Sequence, residues 1–524
     1  MNKPLLLSLA AIATLVATDL SADSMYNRIE MMEMQMKQMQ QELDTLKRSQ
    51  QEESKNLNLE EDDEDDDEAI VATTDEEDDD DDDEESVEDQ IAEIQDNISD
   101  LNKNTNGNHL KFGVDYRFAV ENIHYKMANG ATAKNDAFMT NRLWVNMDWA
   151  ATENLSFHGQ LAYNKAFGQR TDNDTIGYNF ENFDWVSNEN AYDDIVRVRT
   201  VYFLYKNDEF FGSNIPWTFS VGRRPSTNGH LINFRDDDAA SSPMAHTINV
   251  EFDGASAKFG LENLTGIDGM YVKFCAGRGM SNAAHKFSAT PYADDATVEP
   301  NIDLAGLIFV PYADGQYSVN TQYYYANNLI DQLFNPTTGA PLNQFYTVGG
   351  LHSFTANFIA NGIGDEINDF LDDTVFFISG AMSITNPNAN RSMLGAPVGE
   401  SKTGYSVWAG IQYPSLISED GRWGLEYNHG TQYWRSITYG EDTNIGSKIA
   451  TRGDAYEAYF TEPLIEEILS LQIRYTYIDY KYAGSNGFFG DTTGAAIKIS
   501  SDMPNAQNYV DKAQDIRFYL RYRY

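Results

Sequence analysis

The sequence predicts an all-β chain: a transmembrane antiparallel up-and-down β-barrel of about 16 strands (range 14–18), with a helical coiled-coil segment ahead of it. Three observations lead there. From residue 110 onward apolar side chains recur at every second position, and the alternate positions are polar even in mid-strand. The connections between these stretches are short and long in turn. The longest uncharged apolar run, Pro4–Thr18, has 15 residues, too few for a helix to cross a bilayer.

The chain of 524 residues carries 81 acidic and 37 basic side chains, for a net charge of −44, and its mean hydropathy is −0.50. That acidity argues against nucleic acid as a partner, because such binding rests on neutralising phosphates with Lys and Arg. A single cysteine, Cys275, leaves no disulfide framework and no cysteine-based zinc, iron–sulfur or haem site. Residues 1–109 hold 33 acids and 7 bases but, of all the Tyr, Phe and Trp, only Tyr26. The chain therefore has two parts built on different physics.

Residues 1–22 read as a signal peptide, with Lys3 as the positive start, Leu5–Ala17 apolar and Ala22 small. Residues 23–50 carry a heptad seam, Met25, Ile29, Met32, Met36, Met39, Leu43 and Leu46, spaced alternately by four and three. That spacing keeps one apolar stripe on an under-wound helix and predicts a coiled coil; an amphipathic helix lying on the protein's own body is the alternative. Residues 87–103 repeat the pattern through Val87, Ile91, Ile94, Ile98 and Leu101. Between them, residues 51–86 include two wholly acidic runs, Glu60–Glu68 and Asp75–Glu85. Such runs repel themselves and read as a disordered spacer. Their carboxylates could gather divalent cations loosely, but no Asp-x-Asp-x-Asp-Gly loop imposes a site, and no metal is assigned.

The barrel is read over residues 110–524. Leu110, Phe112, Val114, Tyr116 and Phe118 alternate with Lys111, Gly113, Asp115 and Arg117, and Ile516, Phe518, Leu520, Tyr522 and Tyr524 alternate with Arg517, Arg521 and Arg523. A wall with lipid on one side and water on the other needs this pattern. Strands are expected near 110–120, 141–150, 154–164, 195–206, 216–223, 247–259, 270–278, 301–311, 316–326, 349–360, 373–383, 402–413, 421–431, 452–461, 468–481 and 512–524. Seven short turns, such as Ala151–Glu153, and eight long loops, such as Arg224–His246, suit an even-stranded barrel. The strand that ends in Tyr524 resembles the C-terminal signal of bacterial outer-membrane barrels.

Taken together, the leader, the heptads and the terminal aromatic strand resemble porin-type outer-membrane proteins with a periplasmic coiled coil. The stretches Gly222-Arg-Arg-Pro-Ser-Thr-Asn-Gly229, Phe252-Asp-Gly-Ala255 and Cys275-Ala-Gly-Arg-Gly279 resemble a Gram-negative outer-membrane family that is itself of unknown function. The resemblance implies a place in the bacterial outer membrane with the N-terminal segment in the periplasm. It also implies contact with outer-membrane lipid, a homotrimer, and contact with the cell wall through the N-terminal segment.

No Gly-x-Ser-x-Gly, His-Glu-x-x-His or phosphate-loop motif occurs, and the eight His show no ligand spacing. No catalytic residue and no cofactor are assigned, and the chain is not expected to be an enzyme; His158 beside Asp148 is read as a lumen histidine. On the polar phase of the strands lie Arg117, Arg142, Arg197, Arg199, Arg224, Arg517 and Arg521, which are candidate pore-lining residues; the alternative is that such arginines pair with Asp115, Asp148 and Glu121 and merely solvate the lumen. In porins of this general type the third long loop folds inward, so Arg224–His246, with Arg235, Asp236, Asp237 and Asp238, is the expected constriction. Those aspartates are expected to face Arg197, Arg199 and Arg224 across the pore. The function expected is passive diffusion of small polar solutes or ions; the alternative is a structural or adhesive outer-membrane barrel without an open channel.

Overall fold

The computed structural model describes residues 110–168, 196–226, 229–281, 301–335, 341–364, 367–439 and 441–524. The expected signal peptide, both coiled coils and the acidic spacer lie outside these residues.

Period-two sequence becomes strand with little exception. In chain order the strands are β1 Lys111–Met127, β2 Thr132–Ala150, β3 Leu155–Ala166, β4 Arg197–Asn207, β5 Trp217–Ser226, β6 Gly229–His230, β7 Ser241–Met244, β8 Val250–Gly260 and β9 Tyr271–Met280. They continue with β10 Ile302–Ala313, β11 Tyr317–Phe334, β12 Pro341–Asn361, β13 Val375–Pro387, β14 Thr403–Pro414, β15 Arg422–Gly430, β16 Gly453–Ile465, β17 Leu469–Tyr480 and β18 Val510–Arg523. β6 and β7 form a small parallel pair; the other 16 close into an antiparallel barrel, each beside its sequence neighbour, with β1 sealed against β18. Closure leaves no unpaired edge, which is how an aromatic-rich sheet avoids pairing with other chains.

The two faces are inverted relative to a water-soluble protein. Ile473 is 46% exposed on the outer face, while Gln472 and Arg474 beside it are 0% and 1% exposed inside. The same holds on β18, where Ile516 is 52% exposed and Arg517 only 1%. Apolar residues turned outward around the barrel over a polar inner face are the pattern of outer-membrane barrels. One register row marks the upper limit of that band: Arg223, Asp253, Arg278 and Asp303 stand side by side on β5, β8, β9 and β10, with Arg278 and Asp303 paired at 2.7 Å.

The strand positions agree with the sequence reading, but two expected loops are strand. Residues 121–140 form a hairpin extension of β1 and β2 turned at 128–131, and β11 and β12 run for 18 and 21 residues. Polar residues on both faces, such as Asn135 and Asp136, hide the alternation there. At the start of β2 both faces are exposed, so the backbone ladder continues without an apolar face, whereas Leu329 and Ile330 in the extension of β11 are buried.

The interior is occupied. Two segments between strands, 229–249 and 431–452, turn inward. Leu231, Ile232 and Ala245 of the first and Ile449 of the second bury against Ile359, Phe377 and Trp408 of the wall. Ile248 and Ile437 join a second apolar cluster with Leu304, Leu329 and Phe489.

Candidate functional site

The site is the plugged lumen, and it begins with where 229–249 goes after leaving β5. A short helical turn, α1 (Ile232–Asp236), is followed by Asp237 in the left-handed region at φ 51°, which stops it within two turns. The wall receives this turn with polar side chains. Gln412 of β14 donates to the Phe234 carbonyl at 2.8 Å, Gln472 of β17 to that of Arg235 at 2.7 Å, and Arg521 of β18 to that of Asp236 at 2.6 Å. The segment therefore crosses from β5 to the opposite wall. Further on, the His246 ring bridges the hydroxyls of Ser379 and Ser406 at 2.8 and 2.9 Å. His246 is fully buried, and burial pushes its pKa down to about 3.

The second segment, 431–452, meets the first. Ile248 and Ile437 form a parallel bridge, in which the Asn249 N–H donates to the Ile437 carbonyl at 2.7 Å and the Ile437 N–H to the Thr247 carbonyl at 2.9 Å. Arg235, 0% exposed, joins them by charge: its guanidinium lies 2.9 Å from Asp236 and 3.2 Å from Glu441. Lys448 pairs with Glu426 of β15 at 2.7 Å and with Glu457 of β16. Buried charges survive folding only when paired in this way.

Asp442 is the densest point of the network. Its carboxylate accepts from Arg117 of β1, with one bond at 2.8 Å, and lies 3.1 Å from Arg517 of β18. Its backbone carbonyl accepts from Arg474 of β17 at 2.7 Å and from Arg517 at 3.2 Å. Burial alone would raise the Asp442 pKa, but Arg117 and Arg517 hold it well below the carboxylate range.

The expected pore-lining residues fall into three groups. Arg117, Arg517 and Arg521 face the plug and bind it; Arg521 pairs with Asp115 and, at 2.8 Å, with Asp238. Arg142 and Arg199 flank the Trp144 ring at 3.6 and 4.2 Å from its centroid, and Arg199 pairs with Glu251 at 3.3 Å. Arg224 donates to Ser256 at 2.9 Å and lies over the Tyr202 ring, while Arg197 opens β4 half-buried. The aspartates of the third loop do not face this last group. Asp236 pairs with Arg235, Asp237 with Arg523 at 2.7 Å, and Asp238 with Arg521 and Arg523. The physical reason is reach: α1 crosses the lumen, so the arginines of its own side find nearer partners on β3 and β8.

Three residues on this surface escape a strand-by-strand reading: Glu441 and Asp442 in 431–452, and Arg474 on the polar phase of β17. The signal lay in 431–452 itself, where Trp434, Ile437, Ile445 and Ile449 are interleaved with Arg435, Glu441, Asp442, Lys448 and Arg452. A loop in water has no need of such apolar residues. His158 lies 2.6 Å from Asp148 and 2.9 Å from Ser156 Oγ.

A family model described as "Protein of unknown function (DUF3373)" matches residues 132–524. No curated protein matches the sequence. Among solved structures, the trimer form of OmpT, an outer membrane protein of Vibrio cholerae folded in vitro, is 13% identical. It superposes with a TM-score of 0.43 over 80% of this chain and 100% of its own. OmpF of Salmonella typhi in complex with daunomycin is 11% identical, with a TM-score of 0.41 over 78% of this chain and 97% of its own. OprB of Pseudomonas putida at high pH is 12% identical, with a TM-score of 0.42 over 81% and 96%.

Proposed function

We propose, from the premise that this chain belongs to the DUF3373 family of proteins of unknown function, that it is an outer-membrane channel for small polar solutes or ions, closed in this state by its two inward segments. One observation carries the reading: the inner wall is polar and charged at mid-barrel. Gln472, Asn357, Ser379, Thr476, Arg474 and Arg517 are all buried there, and four of them, Gln472, Ser379, Arg474 and Arg517, hold the plug through hydrogen bonds and ion pairs. A barrel that never held water would be served as well or better by an apolar filling of the same volume. A polar wall suits a lumen that is wet whenever the plug withdraws.

Residue 110 enters β1 on the short-turn side, where Val114 and Tyr524 exchange backbone bonds. That supports a periplasmic N-terminal segment, whose two heptads would assemble three barrels into a trimer. A second reading, a structural or adhesive barrel, is favoured by the amount of buried apolar surface that locks the inward segments in place.

Purified protein in planar bilayers distinguishes them. Discrete ohmic steps, made larger or more frequent by loosening the plug, support the channel. A folded barrel that stays silent in both the parent and plug-deleted forms supports the structural reading.

A further inference from the structure

We infer that Arg117, Arg474 and Arg517 form a binding site for a small dianionic oxyanion of the phosphate class, and that Asp442 is a tethered occupant of that site. The inference rests on the channel reading only for how the anion arrives.

The three guanidinium groups come from three adjacent strands, β1, β17 and β18: register pairs Arg474 with Arg517 and Arg517 with Glu121 of β1, while Arg117, four residues before Glu121 and paired with Arg521, reaches the same carboxylate, that of Asp442, through its side chain. All three are buried, at 6%, 1% and 1% exposure. Asp442 meets them as a small anion would. Its carboxylate is gripped by Arg117 through two nitrogens and approached by Arg517. Planar guanidinium groups hold carboxylate and phosphate by the same paired N–H geometry.

The tethered occupant is a poor fit to the donors present. Glu121 takes up part of Arg517, at 2.8 Å, and Asp515 lies 4.0 Å from it. Arg474 receives from Asp442 only a backbone carbonyl, and its nearest carboxylate, Glu457, stands 3.9 Å away. Among the described residues, Arg474 Nε and Nη1 and Arg517 Nε are buried without a hydrogen-bond partner. Buried donors in that condition are costly, and a ligand that satisfies them gains what they forgo. A monocarboxylate fixed by its own backbone cannot turn to reach them. A free tetrahedral dianion such as phosphate has the additional acceptors and can turn to present them.

Access does not require the plug to leave. Glu441, Thr443 and Asn444, on either side of Asp442, line a cavity of about 280 Å³ between segments 431–452 and 481–509. Asn444 donates to both oxygens of Glu121, at 2.7 and 2.9 Å. The stretch 441–444 is therefore a wall one residue thick between that cavity and the arginines, and its outward swing exchanges Asp442 for an anion from the cavity.

The test uses the full-length protein folded in detergent, with inorganic phosphate as the probe and chloride at equal ionic strength as the control. In the unmodified chain, phosphate should speed hydrogen exchange across 436–447, because it competes with Asp442; Arg474→Gln should remove the effect. In Asp442→Asn, phosphate should raise the thermal midpoint at concentrations at least about tenfold lower than in the unmodified chain, since a charge-assisted competitor is gone. No phosphate-specific change in exchange or melting, in either protein, overturns the site, whether or not the barrel conducts. Phosphate stabilisation without any current leaves the site standing and removes the channel reading instead. If Asp442→Asn does not fold, the exchange measurement on the unmodified chain and on Arg474→Gln decides alone.

Discussion

Arg117 and Asp442 stand 325 residues apart in the chain, yet they meet by two bonds inside the barrel, one of them 2.8 Å long. The first belongs to the wall and the second to the plug, so this pair measures how firmly one holds the other.

Removing Arg117 should leave the buried Asp442 with Arg517 as its remaining ion-pair partner. Arg117→Leu is therefore expected to cost less than the roughly 3–5 kcal/mol of a fully broken buried pair in the docking of segment 431–452, read as lost hydrogen-exchange protection there. Adding Asp442→Leu should restore most of that loss, because the pair is then replaced by packed apolar groups. A double-mutant cycle with no coupling would mean that the pair is incidental.

The outer face gives a second expectation. Ile473→Arg should destabilise the barrel in lipid by about 2–4 kcal/mol near the midplane, while Ser156→Arg on the inner face should cost much less. Equilibrium folding into vesicles measures both. Equal costs would contradict the assignment of faces.

Acid should loosen the plug through His246. When docked it stays neutral down to pH of about 3; when released it takes a proton near its ordinary value. Docking is therefore fully supported above that ordinary value and weakens as pH falls toward the depressed one, by at most about 1.4 kcal/mol per unit. Burial raises the pKa of Glu441 and Asp238, which act in the opposite sense, so the difference between the parent and His246→Leu isolates the term. Exchange protection of 243–249 should fall between pH 6 and 4 in the parent, by about a factor of ten per unit at most, and much less in the variant. Parallel profiles would remove His246 as the cause.

Excising 436–448 and joining the ends with a short Gly-Ser link should open the lumen without unfolding the wall, whose β15 and β16 remain paired directly. Conductance should rise severalfold and ion selectivity should move toward anions, since Arg117, Arg474 and Arg517 lose Asp442. An unchanged current places the resistance in segment 229–249.

The wall was legible because an apolar outer face over a polar inner face imposes a period of two; the strand around Ile473 and Arg474 announces both of its faces. Legibility failed where lipid stops, as at Asn135 and Asp136, because water on both sides permits any pattern on a continuing ladder. The inward course of the third loop followed from resemblance, but the partners of Asp236–Asp238 did not. They depend on how far α1 reaches across the barrel, and a distance in space leaves no trace in spacing along the chain. Segment 431–452 could have been noticed by its four apolar residues among charges, but its register against Arg117 and Arg474 could not.

The bridge at Ile437 and Ile248 ties two segments that leave the wall at different places. Neither can retreat without breaking the other's backbone bonds and the shared Arg235–Glu441 contact. The barrel is thereby fitted with a single door of two leaves rather than two independent ones. Its opening should be a two-level event: recordings should jump between shut and fully conducting, with no stable half-open level.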